Sequence, residues 1–232
     1  MQRVIPLQMS VRNKSFYFLL KRLADLLLSL IVCAVLLSWL VPLMALLIPL
    51  DTGGSPFFIQ YRRGRYGRLF PCIKFRTMVP NKQANWLPAS DNDPRITRLG
   101  RILRNWNIDE LPQFFNVLRG EMSVIGPRPH MISDCDRFSF VIHRYNSRHL
   151  LKPGITGMAQ VKGYHGPALD EIAIRMRYSW DIWYLRNCSA LLDLRILGET
   201  LTQVFRTRKQ YSTTMQASNT TQYPQKVNSL MQ

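Results

Sequence analysis

The sequence predicts an α-rich α+β domain carried on an N-terminal membrane helix. Three observations point there. An uncharged apolar run fills residues 26–50, longer than the ~20 residues needed to cross a hydrocarbon core. Two short β-type runs, at 57–61 and 69–78, follow it on either side of a basic, glycine-containing turn. Beyond them, apolar residues recur mostly at helical spacing.

The chain has 232 residues, with 31 Lys and Arg against 14 Asp and Glu, a formal net charge of +17. That length suits one domain with appendages, and the charge predicts an anionic partner. The apolar run argues for lipid headgroups or phosphorylated small molecules over nucleic acid. Cys33, Cys72, Cys135 and Cys188 are scattered, with no Cys-x-x-Cys. They are read as unpaired thiols facing the cytoplasm, not as a zinc site.

Residues 1–20 form a basic lead-in that turns aromatic at Phe16, Tyr17 and Phe18, a composition suited to the headgroup zone. Residues 21–52 form the membrane element. Arg3, Arg12, Lys14, Lys21 and Arg22 precede the run, and Arg62, Arg63, Arg65, Arg68, Lys74 and Arg76 follow it. The positive-inside rule places both flanks in the cytoplasm, which a straight span cannot satisfy. Hydropathy alone favours a simple span; charge symmetry and a break at Pro42 favour a re-entrant helix-break-helix. Both readings stand. Asp25 is expected to pair with Lys21 or Arg22 at helical spacing.

The cluster Asp51-Thr-Gly-Gly-Ser-Pro56 ends this element. Residues 53–205 are then a cytoplasmic domain. Its strands pair as a hairpin, and residues 79–94 are a polar loop. Helices are expected over 98–106, 109–118, 137–151, 170–184 and 191–205, with a turn at 152–157. Residues 206–232 are a polar tail, read as disordered.

Asp109-Glu110 stands out because acids are scarce and cations surround it. Capping a helix N-terminus explains such a pair in the simplest way. The chemical alternative has one carboxylate attack or activate while the other binds a divalent cation beside substrate phosphates. Neighbours on a helix point apart, so their roles would differ. Gly-Pro-Arg-Pro at 126–129 holds Arg128 between two prolines with fixed φ, Pro127 and Pro129, and so aims a guanidinium suited to phosphate. Lys74 and Arg76 alternate around Phe75 and are expected on one strand face. Arg104 lies five residues before Asp109. Incidental surface placement is the simpler reading of each cation alone. His130, His143, His149 and His165 show no partner pattern and are read as packing or surface groups.

These pieces, in this order, resemble the bacterial sugar transferases, monotopic phosphoglycosyl transferases acting on polyprenyl phosphate. The matching stretches are Lys21-Arg22-x-x-Asp25, Lys74-Phe-Arg-Thr-Met78, Asp109-Glu-Leu-Pro-Gln113 with Asn116-Val-Leu-Arg-Gly120, Met122-Ser-Val-Ile-Gly-Pro-Arg-Pro129, Lys152-Pro-Gly-Ile-Thr-Gly157 with Ala159-Gln-Val161, and Asp181-Ile-Trp-Tyr-Leu-Arg-Asn187 with Leu192-Asp193. The resemblance implies a small catalytic domain on a re-entrant membrane hairpin at the cytoplasmic face of the bacterial inner membrane. It implies transfer of a sugar-1-phosphate from a UDP-sugar to undecaprenyl phosphate with release of UMP, the first membrane step of exopolysaccharide, O-antigen or capsule synthesis. Asp109 would be the nucleophile, Glu110 its partner in the dyad, and Mg²⁺ the cofactor held by the pair. Lys74, Arg76, Arg104 and Arg128, with Pro127 and Pro129, would bind phosphate and nucleotide. The partners implied are the UDP-sugar, undecaprenyl phosphate and an anionic bilayer, with no nucleic acid; the oligomeric state stays open.

The family's Ser-Pro break is here Ser38-Trp39, with the proline displaced to Pro42. The chain looks like the minimal form, without the extra N-terminal membrane domain of many relatives. Gly163-Tyr-His-Gly-Pro167 resembles members that transfer glucose or galactose phosphate. A non-catalytic membrane-tethered binding protein is the rival from another class; it leaves Asp109-Glu110 unexplained, because carboxylates weaken a polyanion site. A nearer rival keeps the reaction but makes Asp109 a general base in a direct transfer.

Overall fold

The computed structural model describes residues 14–82, 89, 93–164, 166 and 170–205. Much of the polar loop 79–94, His165, Pro167 and the tail 206–232 lie outside the described residues.

The apolar run forms one continuous helical element. Helix α1 (Ser15–Val32) passes through a π segment, Cys33–Leu37, into α2 (Ser38–Thr52). Together Ser15–Thr52 is long and apolar enough to cross a membrane. Asp25, Ser29, Leu37, Leu40, Met44, Ile48 and Thr52 are buried along it at spacings of three, four and eight, while Leu27, Val35, Trp39, Leu46 and Leu50 are exposed. The expected break at Pro42 is not found. Pro42 and Pro49 lie inside α2, and the helix departs from α geometry at the π segment instead. Wider π pairing strands carbonyls, and two side chains answer them: Ser38 Oγ donates to Ala34 O (2.7 Å) and Trp39 Nε1 to Val35 O (3.0 Å). Gly53, at φ 69°, closes α2 in the left-handed conformation that favours glycine.

Strands β1 (Phe57–Arg63) and β2 (Leu69–Phe75) pair antiparallel, from Phe57↔Phe75 to Arg63↔Leu69, as the alternation predicts. Strand β2 stops at Phe75; beyond it Met78 forms only an isolated bridge to Ile96. Helix α3 (Arg98–Asn105) begins where Thr97 Oγ1 accepts the Gly100 N–H at 3.0 Å. A Cβ at Gly100 would lie 2.0 Å from Thr77 O, so only glycine lets α3 cross the chain after β2 this closely.

The expected helix over 109–118 splits. Asn107 turns left-handed at φ 54°, Ile108–Glu110 form a 3₁₀ turn, and α4 runs only over Gln113–Leu118. Pro112, with no N–H to give, sits at the N-cap of α4. Strand β3 (Ser123–Ile125) pairs in parallel with β4 (Gly154–Thr156), inside the segment read as a turn. The expected helix over 137–151 is instead α5 (Ile132–Val141) and a 3₁₀ segment, Tyr145–Leu150, parted by extended Ile142. Helices α6 (Met158–Val161), α7 (Glu171–Asn187) and α8 (Ala190–Phe205) complete the chain.

One core joins the inner stripe of α2 to Phe70, Phe75, Val117, Met122, Tyr184, Leu185 and Ile196. Cys135, Phe138, Ile142, Tyr145 and Ile174 form a second, smaller cluster. Asp25 does not pair with its helical neighbours. Its carboxylate accepts Ser123 Oγ (2.8 Å) and Val124 N (3.0 Å), while Lys21 reaches Asp193 (2.7 Å) and Arg22 the Val117 carbonyl (2.7 Å). These groups fasten α1 to β3, α8 and the end of α4, a stronger use of buried charge than an i,i+4 pair.

Candidate active site

The site sits where the hairpin, the 3₁₀ turn 108–110 and the Gly-Pro-Arg-Pro turn converge. Asp109 and Glu110 are both buried, at 8% and 9% exposure. Lys74 comes from β2, and its Nζ donates to Glu110 Oε1 at 2.6 Å. Arg128 donates Nη2 to Oε1 at 2.7 Å and Nη1 to Oε2 at 3.1 Å, a bidentate grip. Two cations thus hold Glu110 on both oxygens. The Asp109 carboxylate, among the described residues, accepts no hydrogen bond or ion pair within those limits.

The charge states follow. Burial pushes the Glu110 carboxyl up, but Arg128 and then Lys74 overcome it and hold it well below the usual carboxylate range. Asp109 is pushed up to about 6, by burial first and by the Glu110 charge, against Lys74, Arg104 and Arg128. Arg104 bonds Thr77 Oγ1 through Nε (2.8 Å) and feels the Asp109 charge; its burial lowers its own pKa.

The structure therefore brings Lys74, Arg104 and Arg128 to the acidic pair. It does not bring Arg76, which lies over the Phe58 ring and donates to Ser55 O (2.7 Å) and Phe57 O (3.3 Å), bracing the entry to β1. Pro127 and Pro129 contribute backbone: Pro127 O accepts Gly154 N at 3.0 Å, and Pro129 O accepts Arg62 Nη1. His130 and His149 are buried, and burial followed by nearby Arg148 holds both imidazoles neutral, His149 at about 3.

Asn116 opens one of the matching stretches but carried no role of its own in the sequence. Wholly buried, it accepts Ile73 N through Oδ1 (3.0 Å) and donates Nδ2 to Pro71 O (2.7 Å), locking α4 to β2 beside Lys74. An Asn among Phe114, Phe115 and Val117 was the available signal.

Among the described residues no cluster of three or more His, Cys, Asp or Glu exists. Magnesium does not need one, since one or two carboxylates plus substrate phosphates suffice. Asp109, with no bonded donor among the described residues, is a carboxylate that fits such an ion; Glu110 would join it only where Lys74 or Arg128 turns from it to phosphate.

The profile of the bacterial sugar transferases matches residues 16–207. The chain belongs to the bacterial sugar transferase family. The chain is 41% identical over 193 residues to the UDP-N-acetylgalactosamine-undecaprenyl-phosphate N-acetylgalactosaminephosphotransferase of Aeromonas hydrophila, covering 83% of this chain and 45% of that protein. It is 37% identical to the UDP-glucose:undecaprenyl-phosphate glucose-1-phosphate transferase of Klebsiella pneumoniae, covering 90% and 44%. It is 40% identical to the exopolysaccharide production protein PSS of Rhizobium leguminosarum bv. phaseoli, covering 78% and 93%. The chain thus spans less than half the length of the first two relatives and nearly all of the third.

Proposed function

We propose that this chain moves a sugar-1-phosphate from a UDP-sugar to undecaprenyl phosphate through a covalent intermediate on Asp109. The observation that carries this reading is the contrast within the acidic pair: Glu110 is locked by Lys74 and Arg128, while Asp109, among the described residues, accepts no donor in the same cationic pocket. A nucleophile must be free to attack. A carboxylate oxygen of Asp109 attacks the β-phosphorus of the donor. The bond from that phosphorus to the bridging oxygen breaks, and UMP leaves with the electron pair. An oxygen of undecaprenyl phosphate then attacks the same phosphorus, and the carboxylate is restored. Arg128, Lys74 and Arg104 offset charge on the phosphoryl oxygens. Mg²⁺, held by Asp109 and Glu110 with the donor's phosphates, would supply further charge neutralisation.

Relatives named for N-acetylgalactosamine and for glucose are about equally similar. A hexose donor remains our proposal from Gly163–Pro167, part of which lies outside the described residues. We also propose that Ser15–Thr52 dips into the cytoplasmic leaflet and returns, keeping the domain on the cytoplasmic face. Lys14 ties the start of this element to Arg186 O and Cys188 O, both at 2.9 Å, and its end leads directly into β1 of the same domain.

The elevated Asp109 pKa suits the direct-transfer alternative too, with Asp109 as general base. One experiment separates them. The protein in nanodiscs, with Mg²⁺ and a panel of UDP-sugars but no lipid phosphate, should yield a phosphosugar adduct on Asp109 by mass spectrometry. Adding undecaprenyl phosphate should discharge it with continuing UMP release. Lipid-dependent turnover with no trappable adduct would favour the base; no UMP from any donor would count against both.

A further inference from the structure

Arg128 can grip Glu110 and a phosphate only as well as its own backbone is held. The turn at 126–129 cannot hold itself, because Pro127 and Pro129 have no N–H and its carbonyls need donors from elsewhere. Three elements supply them. Pro127 O accepts Gly154 N of β4 at 3.0 Å. Pro129 O accepts Arg62 Nη1 of β1, whose guanidinium is itself held by Gln60 Oε1 at 2.7 Å. Arg128 O accepts Arg148 Nη2 at 2.7 Å.

The third tie is the unusual one. Arg148 and Asp181 have side chains exposed by only 1% and 2%. Arg148 Nε donates to Asp181 Oδ2 at 2.9 Å, so α7 anchors the guanidinium that reaches the turn. A buried ion pair is weak evidence for stability, and one attested use of such a pair is to fix a geometry. Here the geometry is that of the residue bonded to Glu110.

We infer that Arg148, oriented by Asp181, is a positioning residue for the transfer: it fixes the Arg128 backbone so that the guanidinium meets Glu110 and substrate phosphate. The inference rests on the proposed transfer for its kinetic consequence, and on geometry alone for its structural one. Lysine at 148 keeps the charge but cannot bond Asp181 through Nε and Arg128 O through Nη2 together.

The test is a pair of double-mutant cycles. Arg148→Lys, Arg128→Lys and Glu110→Gln are made singly and as the pairs containing Arg148→Lys, in nanodiscs. Misplacement by about 1 Å can cost ~10²-fold, so kcat/KM for UMP release should fall by roughly that factor in Arg148→Lys. The further fall in the Arg128→Lys background should be much smaller, because both act through one group. Thermal shifts of Arg148→Lys and Glu110→Gln should likewise be non-additive, although these side chains do not bond each other. Arg62→Lys, at a half-buried position, is the second probe of the same turn and should lower kcat/KM in the same direction. Additive thermal shifts, or a folded Arg148→Lys with wild-type kcat/KM, would overturn the inference. If wild-type protein releases no UMP while the thermal shifts stay non-additive, the transfer reading fails and the positioning contact stands.

Discussion

Asp109 and Glu110 are chain neighbours with opposite charge behaviour, because Lys74 and Arg128 bond Glu110 directly and act on Asp109 only through space. Glu110 gains two direct partners, and Asp109 gains burial with no bonded partner among the described residues. The sign of the consequence is unusual for an aspartate. With its folded-state pKa pushed up to about 6 from 3.8, Asp109 binds its proton more tightly folded than unfolded. Stability is highest below 3.8 and falls as pH rises through about 6, by ~2–3 kcal/mol in all at pH 8. Asp109→Asn should therefore abolish UMP release and yet raise the thermal midpoint at pH 8, with the gain shrinking as pH falls below about 6 and gone below 3.8. A lower midpoint at pH 8 would contradict the buried, unpaired state. Wild-type kcat/KM should decline as pH drops through about 6, since the protonated carboxyl cannot attack; a pH–rate profile checks this. Glu110→Gln works the other way. It leaves Lys74 and Arg128 facing a neutral amide, and should cost a folded protein about 3 kcal/mol or more, together with most of its turnover, measured by thermal shift and UMP release.

At the scale of elements, the site depends on α4 and β2 keeping one register, and Asn116 sets it. Asn116→Ala strands the Ile73 N–H and the Pro71 carbonyl, each at ~1–3 kcal/mol, and leaves Lys74 loosely placed. The variant should lose on the order of 2–4 kcal/mol of stability by denaturation, and turnover should fall with Asp109 and Glu110 untouched. Unchanged stability would show that water replaces the amide. The elements that the sequence announces are those with a period or a cap: the hairpin by alternation, α3 by Leu99, Ile102 and Leu103, and α7 by Asp170, whose carboxylate accepts Ala173 N at 2.6 Å. The β3–β4 pair was not legible. Each strand has three residues, too few for a period, and Gly154 must pass so near that a Cβ there would lie 2.1 Å from Gly126 N. The acidic pair and its cations were legible by rarity and by turn chemistry. Asp181 opens a matching stretch, but its pairing with Arg148 was not legible, because the partners are 33 residues apart and nothing local marks a buried arginine.

For the whole molecule, the question is how a helical element of 38 residues sits in a bilayer. Straight, it would measure roughly 57 Å at 1.5 Å per residue, against a hydrocarbon core of ~30 Å. Its first turns are bonded to α8 and α4 through Tyr17, Lys21 and Arg22, and its last turn feeds β1. A straight crossing would place those attachments on opposite sides of the membrane, although they belong to one folded body. An element that enters and returns keeps them together, and the π segment, with Ser38 and Trp39 answering its carbonyls, is the place where the helix departs from regular pairing. Cysteine labelling decides between the two. Cys72, Cys135 and Cys188 are buried and Cys33 is only half-buried, so Cys33→Ser gives a quiet background. Ser15→Cys and Ser55→Cys lie at exposed positions on either side of the element. In inside-out membrane vesicles, a membrane-impermeant maleimide should modify both. Modification of one alone, with the other reached only from the opposite face, would establish a span and would separate residues that the fold holds together.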